Sequence, residues 1–219
     1  MINSADFLFT FISIQKMKTL LQPTYFPSIS NMVALVNADE IVLETEDNFQ
    51  KQTNRNRMYI YSPNGLQLLN IPIKHSKQSH QKTKDVRIEN DFDWQKQHFK
   101  SLEAAYRSSP FFEYFEDDLA PIFTKKHEFL LDLNLESMSF VSKCLRVDFD
   151  YEKTIAFHNQ QDDILDFRYL ADGKKDDSIF EHYPQVFQEK VGFLSNLSVL
   201  DLLFNEGKFA LDYLKNQKL

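Results

Sequence analysis

The sequence predicts an α/β fold: a mixed sheet with an opening βαβ-like unit, a β-hairpin and a helical C-terminal half. Three observations predict it. Short apolar runs at 17–21 and 40–44 flank a proline-punctuated loop and a helix-like stretch, which is the order of a βαβ unit. Two further strand-like runs meet at Pro63-Asn64-Gly65, a turn signal. Beyond residue 92, apolar residues recur at helical spacing.

Met17-Lys18-Thr19-Leu20-Leu21 reads as the first strand. Gln22-Pro23-Thr24-Tyr25-Phe26-Pro27 follows and cannot be helical throughout, because proline restricts the residue before it. Ser28 or Ser30 caps a helix over Asn31–Val36, and Glu40–Glu44 is the second strand. Met58–Ser62 and Leu66–Ile73 form the hairpin, Lys74–Lys84 is a polar exposed loop, and Asp85–Glu89 resumes as an alternating strand. Asp93 caps a helix whose face carries Trp94, His98 and Leu102, and which ends near Ser108-Ser109-Pro110. A short helix over Phe111–Asp118 precedes a long one opened by Pro121 and running to about Leu145. Thr154–His158 reads as a late strand, and 159–181 as a charged loop. Ser198 and Asp201 have capping-box spacing before an apolar helix that Gly207 ends, and a last helix covers Phe209–Leu214.

Residues 17–219 fit one α/β domain, since 219 residues with 21 Phe and 9 Tyr can bury a sizeable core and no Gly-rich linker divides the chain. Residues 1–16 are expected to be a dispensable N-terminal extension. Their apolar run is shorter than the ~20 residues of a membrane span, and it lacks a cationic start and a small-residue cleavage site. The alternative is a segment that packs on the domain or on a neighbouring chain. Membrane insertion is therefore not expected. Cys144 stands alone, so no internal disulfide forms, and a reducing, cytoplasmic location is expected.

The net charge of −7 argues against general nucleic-acid binding, but the charge is uneven. Residues 51–87 hold eight Lys or Arg and one acid, a local +7, leaving −14 on the remainder. Within that region Lys51-Gln52-Thr53-Asn54-Arg55-Asn56-Arg57 is dense in donors. Guanidinium groups bind phosphate and carboxylate through paired hydrogen bonds, while Asn and Gln amides read hydroxyls or base edges. Lys51, Arg55, Asn56 and Arg57, with Gln22 and Tyr25 from the loop after the first strand, are the expected binding residues for an anionic small molecule. Arg55 and Arg57, two apart on an extended segment, are expected to face one cleft. Arg55 is read as exposed, so Arg55→Ala is expected to weaken ligand binding at least about tenfold and to leave folding intact.

Glu44, Glu46 and Asp47 end the second strand, and a carboxylate there either takes a proton from an attacking hydroxyl or amine or orients Arg55. Glu46 and His98 are the acid–base candidates, although a lone His on an apolar face is usually a core residue. The six histidines form no HxH or HxxxH pair, and no GxGxxG or P-loop is present, so neither a metal nor a dinucleotide cofactor is expected. Asn134, in an apolar helix, needs a buried hydrogen-bond partner.

Several of these stretches, in order, resemble the WbqC-like protein family. Gln22-Pro23-Thr24-Tyr25-Phe26-Pro27 resembles its opening motif, and Lys51–Arg57 its arginine–asparagine motif. Asp85–Ile88, Trp94 with His98, Tyr106 with Ser108–Phe112, Tyr183–Phe187 and Leu197–Gly207 are similar to later family segments. The resemblance spans about 17–214, and the short form is most similar to members from the Bacteroidetes. It implies a transferase-type enzyme of surface-polysaccharide (O-antigen) or related small-molecule metabolism, taking a nucleotide-sugar or an acyl donor. This chain departs from the pattern at Ser28, where many members have Trp, and at Asn54, where many have an aromatic residue. It also lacks the Tyr-Leu-Ser-Gly segment of longer members. The departures leave the anion-binding part in place and the acceptor or acyl substrate open. The alternative reading is a non-catalytic module that binds a nucleotide or nucleic acid, marked by strongly salt-dependent affinity for oligonucleotides.

Overall fold

The computed structural model describes residues 17–75, 80–160 and 163–219. The extension at 1–16 lies outside them. The opening unit forms as the sequence predicts: β1 (Lys18–Leu21), α1 (Ile29–Val36) and β2 (Glu40–Leu43), with β1 and β2 parallel and Lys18 opposite Glu40. Leu20, Leu21, Val42 and Leu43 are buried, as continuous apolar runs in a covered parallel sheet should be. Ser28 is the N-cap of α1, its hydroxyl accepting from the Asn31 N–H. The hairpin is β3 (Arg57–Ser62) against β4 (Gly65–Asn70), turning at Pro63-Asn64.

Two more parallel strands complete the sheet in the order β5-β2-β1-β6. β5 (Tyr151–Lys153) lies beside β2, three residues earlier than the strand expected at Thr154–His158. The reason is the register: β2 ends with Leu43 opposite Lys153, so the chain beyond has no ladder to join, and Ile155 is 97% exposed. β6 (Ile164–Asp166), beside β1, falls in the stretch expected to be loop. Three residues with one acid carry too little pattern to read.

The helical half differs in its breaks. α2 (Trp94–Tyr106) buries Trp94, His98, Leu102, Ala105 and Tyr106, the expected face. α3 (Phe112–Thr124) contains Pro121 in its last turns, and α4 (Leu130–Leu145) is a separate helix, so Pro121 does not open a long one. The apolar spacing runs on across the break, because Phe129 ends an extended link that bridges to Arg87. Asp85–Glu89 is not a strand. A turn over Thr83–Asp85 precedes single bridges from Ile88 to Ile73 and Arg87 to Phe129, with Val86 and Ile88 buried in alternation but without a continuous partner. A short α5 (Gln188–Val191) precedes α6 (Val199–Glu206) and α7 (Ala210–Asn216). No helix among the described residues is long and apolar enough to cross a membrane.

Ser198 caps α6, but Asp201 does not close a capping box. It is fully buried and accepts from Tyr106 (2.8 Å), Tyr183 (2.7 Å) and Gln185 (2.9 Å). Gly207 ends α6 at φ +54°, and a Cβ there would stand 2.6 Å from the Phe111 ring. Gly207→Ala combines a disfavoured backbone with a clash against a packed ring, so it is expected to cost about 2–3 kcal/mol, read as a lower urea midpoint at unchanged slope.

Candidate functional site

The loops after the four parallel strands converge at one end of the sheet. Gln22 follows β1, Glu44 and Asp47 follow β2, Phe157 follows β5, and Arg168 and Tyr169 follow β6. Backbone bonds lace these loops together: the Tyr25 N–H donates to the Asn54 carbonyl (3.0 Å) and the Asn54 N–H to the Ala171 carbonyl (2.7 Å). The Asn134 amide, projecting from α4, donates to the carbonyls of Pro23 (3.1 Å) and Arg55 (2.8 Å), the strut expected of a polar residue in an apolar helix. Phe26 is held at φ +39° while fully buried, its N–H donating to Ser137 Oγ and its carbonyl accepting from Ser198 Oγ. The surrounding fold thus over-determines the strained loop that carries Gln22 and Tyr25.

Two adjoining clefts lie here, and Asn48 lines both. The first, about 420 Å³, is walled by Lys51, Gln52, Asn56, Arg57, Asn70, Lys74, His75 and His80 with Phe49 and Ile73, and among the described residues no carboxylate lines it. Arg57 Nε donates to Asn70 Oδ1 (3.1 Å), which also accepts from the Asn56 amide (3.2 Å). Among the described residues the terminal nitrogens of Arg57 have no protein partner. The second cleft, about 270 Å³, is lined by Gln22, Asp47, Gln50, Arg55, Phe157, Arg168, Tyr169, Asp172 and Lys175.

Arg55 and Arg57 therefore do not share a cleft. The two-residue alternation holds only within a strand, and β3 begins at Arg57. Thr53–Asn56 is a turn, which sends Arg55 toward the sheet and Arg57 toward the hairpin. Arg55 is also not exposed. At 3% exposure it donates through Nη2 to Asp47 Oδ2 (2.7 Å) and through Nη1 to Thr53 Oγ1 (3.2 Å). The Gln22 amide donates to the same Asp47 oxygen (2.9 Å). The role of orienting Arg55 belongs to Asp47.

Glu46 lines neither cleft. It binds Lys82 (2.8 Å) and Lys84 (2.6 Å), whose hydrogen bonds hold its carboxyl below the usual range. It thereby neutralises part of the lysine-rich loop and leaves Lys51, Arg57 and Lys74 as the cations of the first cleft. His98 and Tyr25 also stand apart from both clefts: Tyr25 Oη meets His98 Nδ1 at 3.1 Å in the core, beside Trp94. Burial pushes His98 down to about 4, so the imidazole is neutral near pH 7, and burial raises Tyr25 well above its ordinary value. Burial likewise pushes the Cys144 thiol up to about 12, far from a reactive thiolate.

Open parallel sheets bind ligands beyond the carboxyl ends of their strands, where neighbouring strands lead in opposite directions. β1, with β2 on one side and β6 on the other, is that point here. The model of the WbqC-like protein family matches residues 22–178, a stretch that contains every loop lining the two clefts. The chain belongs to the WbqC-like family. This WbqC-like protein is also 28% identical over 227 residues to the "Uncharacterized protein Rv1507c" of Mycobacterium tuberculosis (strain ATCC 25618 / H37Rv), over 91% of this chain and 98% of that one. No solved structure matches the chain. The similar stretches at 183–187 and 197–207 lie beyond the family model's match; in this chain they supply Gln185 and α6 to the core.

Sequence reasoning misses Arg168, Tyr169, Asp172 and Lys175. Arg168 clamps the site: its guanidinium donates to Asp166, to Glu44 (3.2 Å) and to the carbonyls of His158 and Asn159. Glu44, fully buried, accepts in addition from Thr154 Oγ1 (2.7 Å) and the Glu46 N–H (2.8 Å). The signal that would have found Arg168 is β6, too short to recognise.

Proposed function

We propose that this protein is a transferase-type enzyme, of surface-polysaccharide or related small-molecule metabolism, that holds a phosphate-bearing substrate in the acid-free cleft. One observation carries the reading. Lys51, Arg57 and Lys74 line a cavity of about 420 Å³ with no carboxylate in its wall among the described residues, while the buried Arg55 is offset by Asp47. Several cations focused on one concavity, in a chain of net charge −7, attract an anion locally rather than along an extended surface. Arg57 is the anchor: Asn70 fixes its Nε and leaves the planar end for two parallel bonds to phosphate. A volume above ~300 Å³ suits a small molecule.

Pyrophosphate is the probe. Calorimetric titration at low salt should give saturable binding, and Arg57→Gln should weaken it at least tenfold, since a charge-assisted pair contributes about 1.5–3 kcal/mol. Arg57→Lys should also bind weakly, because a point charge does not replace the fork. Equal affinity in wild type and Arg57→Gln would refute the site. Oligonucleotide binding stronger than pyrophosphate binding, with a steep salt slope, would favour a nucleic-acid module instead.

A further inference from the structure

The second cleft holds an arrangement that the phosphate reading does not use. Gln22, Asp47 and Arg55 line it, each at most 4% exposed, and each keeps one polar atom without a partner among the described residues: Gln22 Oε1, Asp47 Oδ1 and Arg55 Nε. The orientation of the Gln22 amide is fixed, because its Nε2 donates to Asp47 Oδ2, so the free atom is an acceptor. Buried polar atoms ordinarily find partners, and all three orphans, themselves closed to solvent, sit on side chains that line this cleft. The pattern offered is two acceptors and one donor.

The charge of the wall selects among ligands that fit this pattern. Asp47 is paired with Arg55 at 2.7 Å, Arg168 with Glu44 at 3.2 Å, and Lys175 with Asp172 at 3.3 Å. A second anion would meet Asp47 and Asp172, and an ammonium would meet Arg55, Arg168 and Lys175. A neutral group avoids both costs. At the rim stand two partly exposed rings, Tyr169 (48% exposed) and Phe157 (43% exposed), the second with one face under the Arg168 guanidinium. Aromatic surface above and hydrogen-bonding groups below suit a ring with apolar faces and hydroxyl edges. The cleft's 270 Å³ lies just under the ~300 Å³ at which pockets for whole ligands begin, so it holds part of a molecule.

We infer that the second cleft binds a neutral, hydroxyl-bearing sugar ring through Gln22, Asp47 and Arg55, and that this ring is joined to the phosphate held in the first cleft. The last clause rests on the phosphate reading. Asn48, shared by both walls, marks where the two parts of the ligand meet.

The experiment titrates the protein with glucose 1-phosphate, galactose 1-phosphate and mannose 1-phosphate, and in parallel with inorganic phosphate and pyrophosphate. At least one hexose 1-phosphate should bind about tenfold more tightly than inorganic phosphate. Tyr169→Ala, at the exposed rim, should weaken that hexose 1-phosphate about fivefold and leave pyrophosphate unchanged, and Gln22→Leu should do the same. Hexose 1-phosphates that bind no better than inorganic phosphate would overturn the sugar site while leaving the phosphate site standing. So would a hexose 1-phosphate advantage that survives in both Tyr169→Ala and Gln22→Leu. Loss of pyrophosphate binding in Tyr169→Ala would count against the division into two clefts.

Discussion

Asp201→Ala is expected to destabilise the fold by about 4 kcal/mol, the largest single effect at this end of the molecule. The carboxylate accepts from Tyr106, Tyr183 and Gln185 in a fully buried setting; its removal orphans the two tyrosine hydroxyls at ~1–3 kcal/mol each, while the Gln185 amide keeps the Leu194 carbonyl. The Tyr106 hydroxyl also accepts from the Tyr61 N–H (3.0 Å), so the change reaches β3. The same carboxyl gives the fold a pH dependence. Desolvation raises it from 3.8 to about 6, so the folded state holds the proton more tightly than the unfolded one. Its contribution is greatest at low pH and is lost as pH rises from about 4 through 6, on the order of 3 kcal/mol. Asp201→Asn should flatten that part of the stability–pH curve, read by urea unfolding at each pH.

Asp47→Ala is expected to cost about 3–5 kcal/mol, because it strands a buried guanidinium. Arg55 would retain Thr53 as a partner, and Gln22 would lose its own. Replacing both members of the pair, as Asp47→Leu with Arg55→Met, should restore much of the loss, because no charge is then left uncompensated. Urea unfolding of the single and double variants checks this. A single variant as stable as wild type would show that the pair is solvated and would remove the buried polar wall of the second cleft.

Much of this fold is legible in the sequence because its periodicities are local. The β1–α1–β2 opening, the hairpin at Pro63-Asn64 and the α2 face through Trp94, His98 and Leu102 each follow from a run that one element satisfies alone. The misread parts depend on distant partners. β5 stops where β2 stops, β6 exists because β1 has a free edge, and the α3–α4 break follows the bridge from Phe129 to Arg87. The site divides in the same way. The donor-rich stretch at 51–57 and the loop carrying Gln22 are visible as residue types. That Arg55 turns inward to Asp47 while Arg57 stays on the hairpin is set by where β3 begins, and Arg168 is placed by a three-residue strand. His98 shows that an apolar helix face is the better guide: it is a core residue bonded to Tyr25.

A crystal structure with pyrophosphate bound would locate the anion site by direct observation. Phosphate oxygens are expected within hydrogen-bond distance of the Arg57 guanidinium, with Lys51 or Lys74 as a second contact. Pyrophosphate seated against Arg55 and Arg168 instead, or no pyrophosphate in the acid-free cleft at saturating concentration, would contradict this placement.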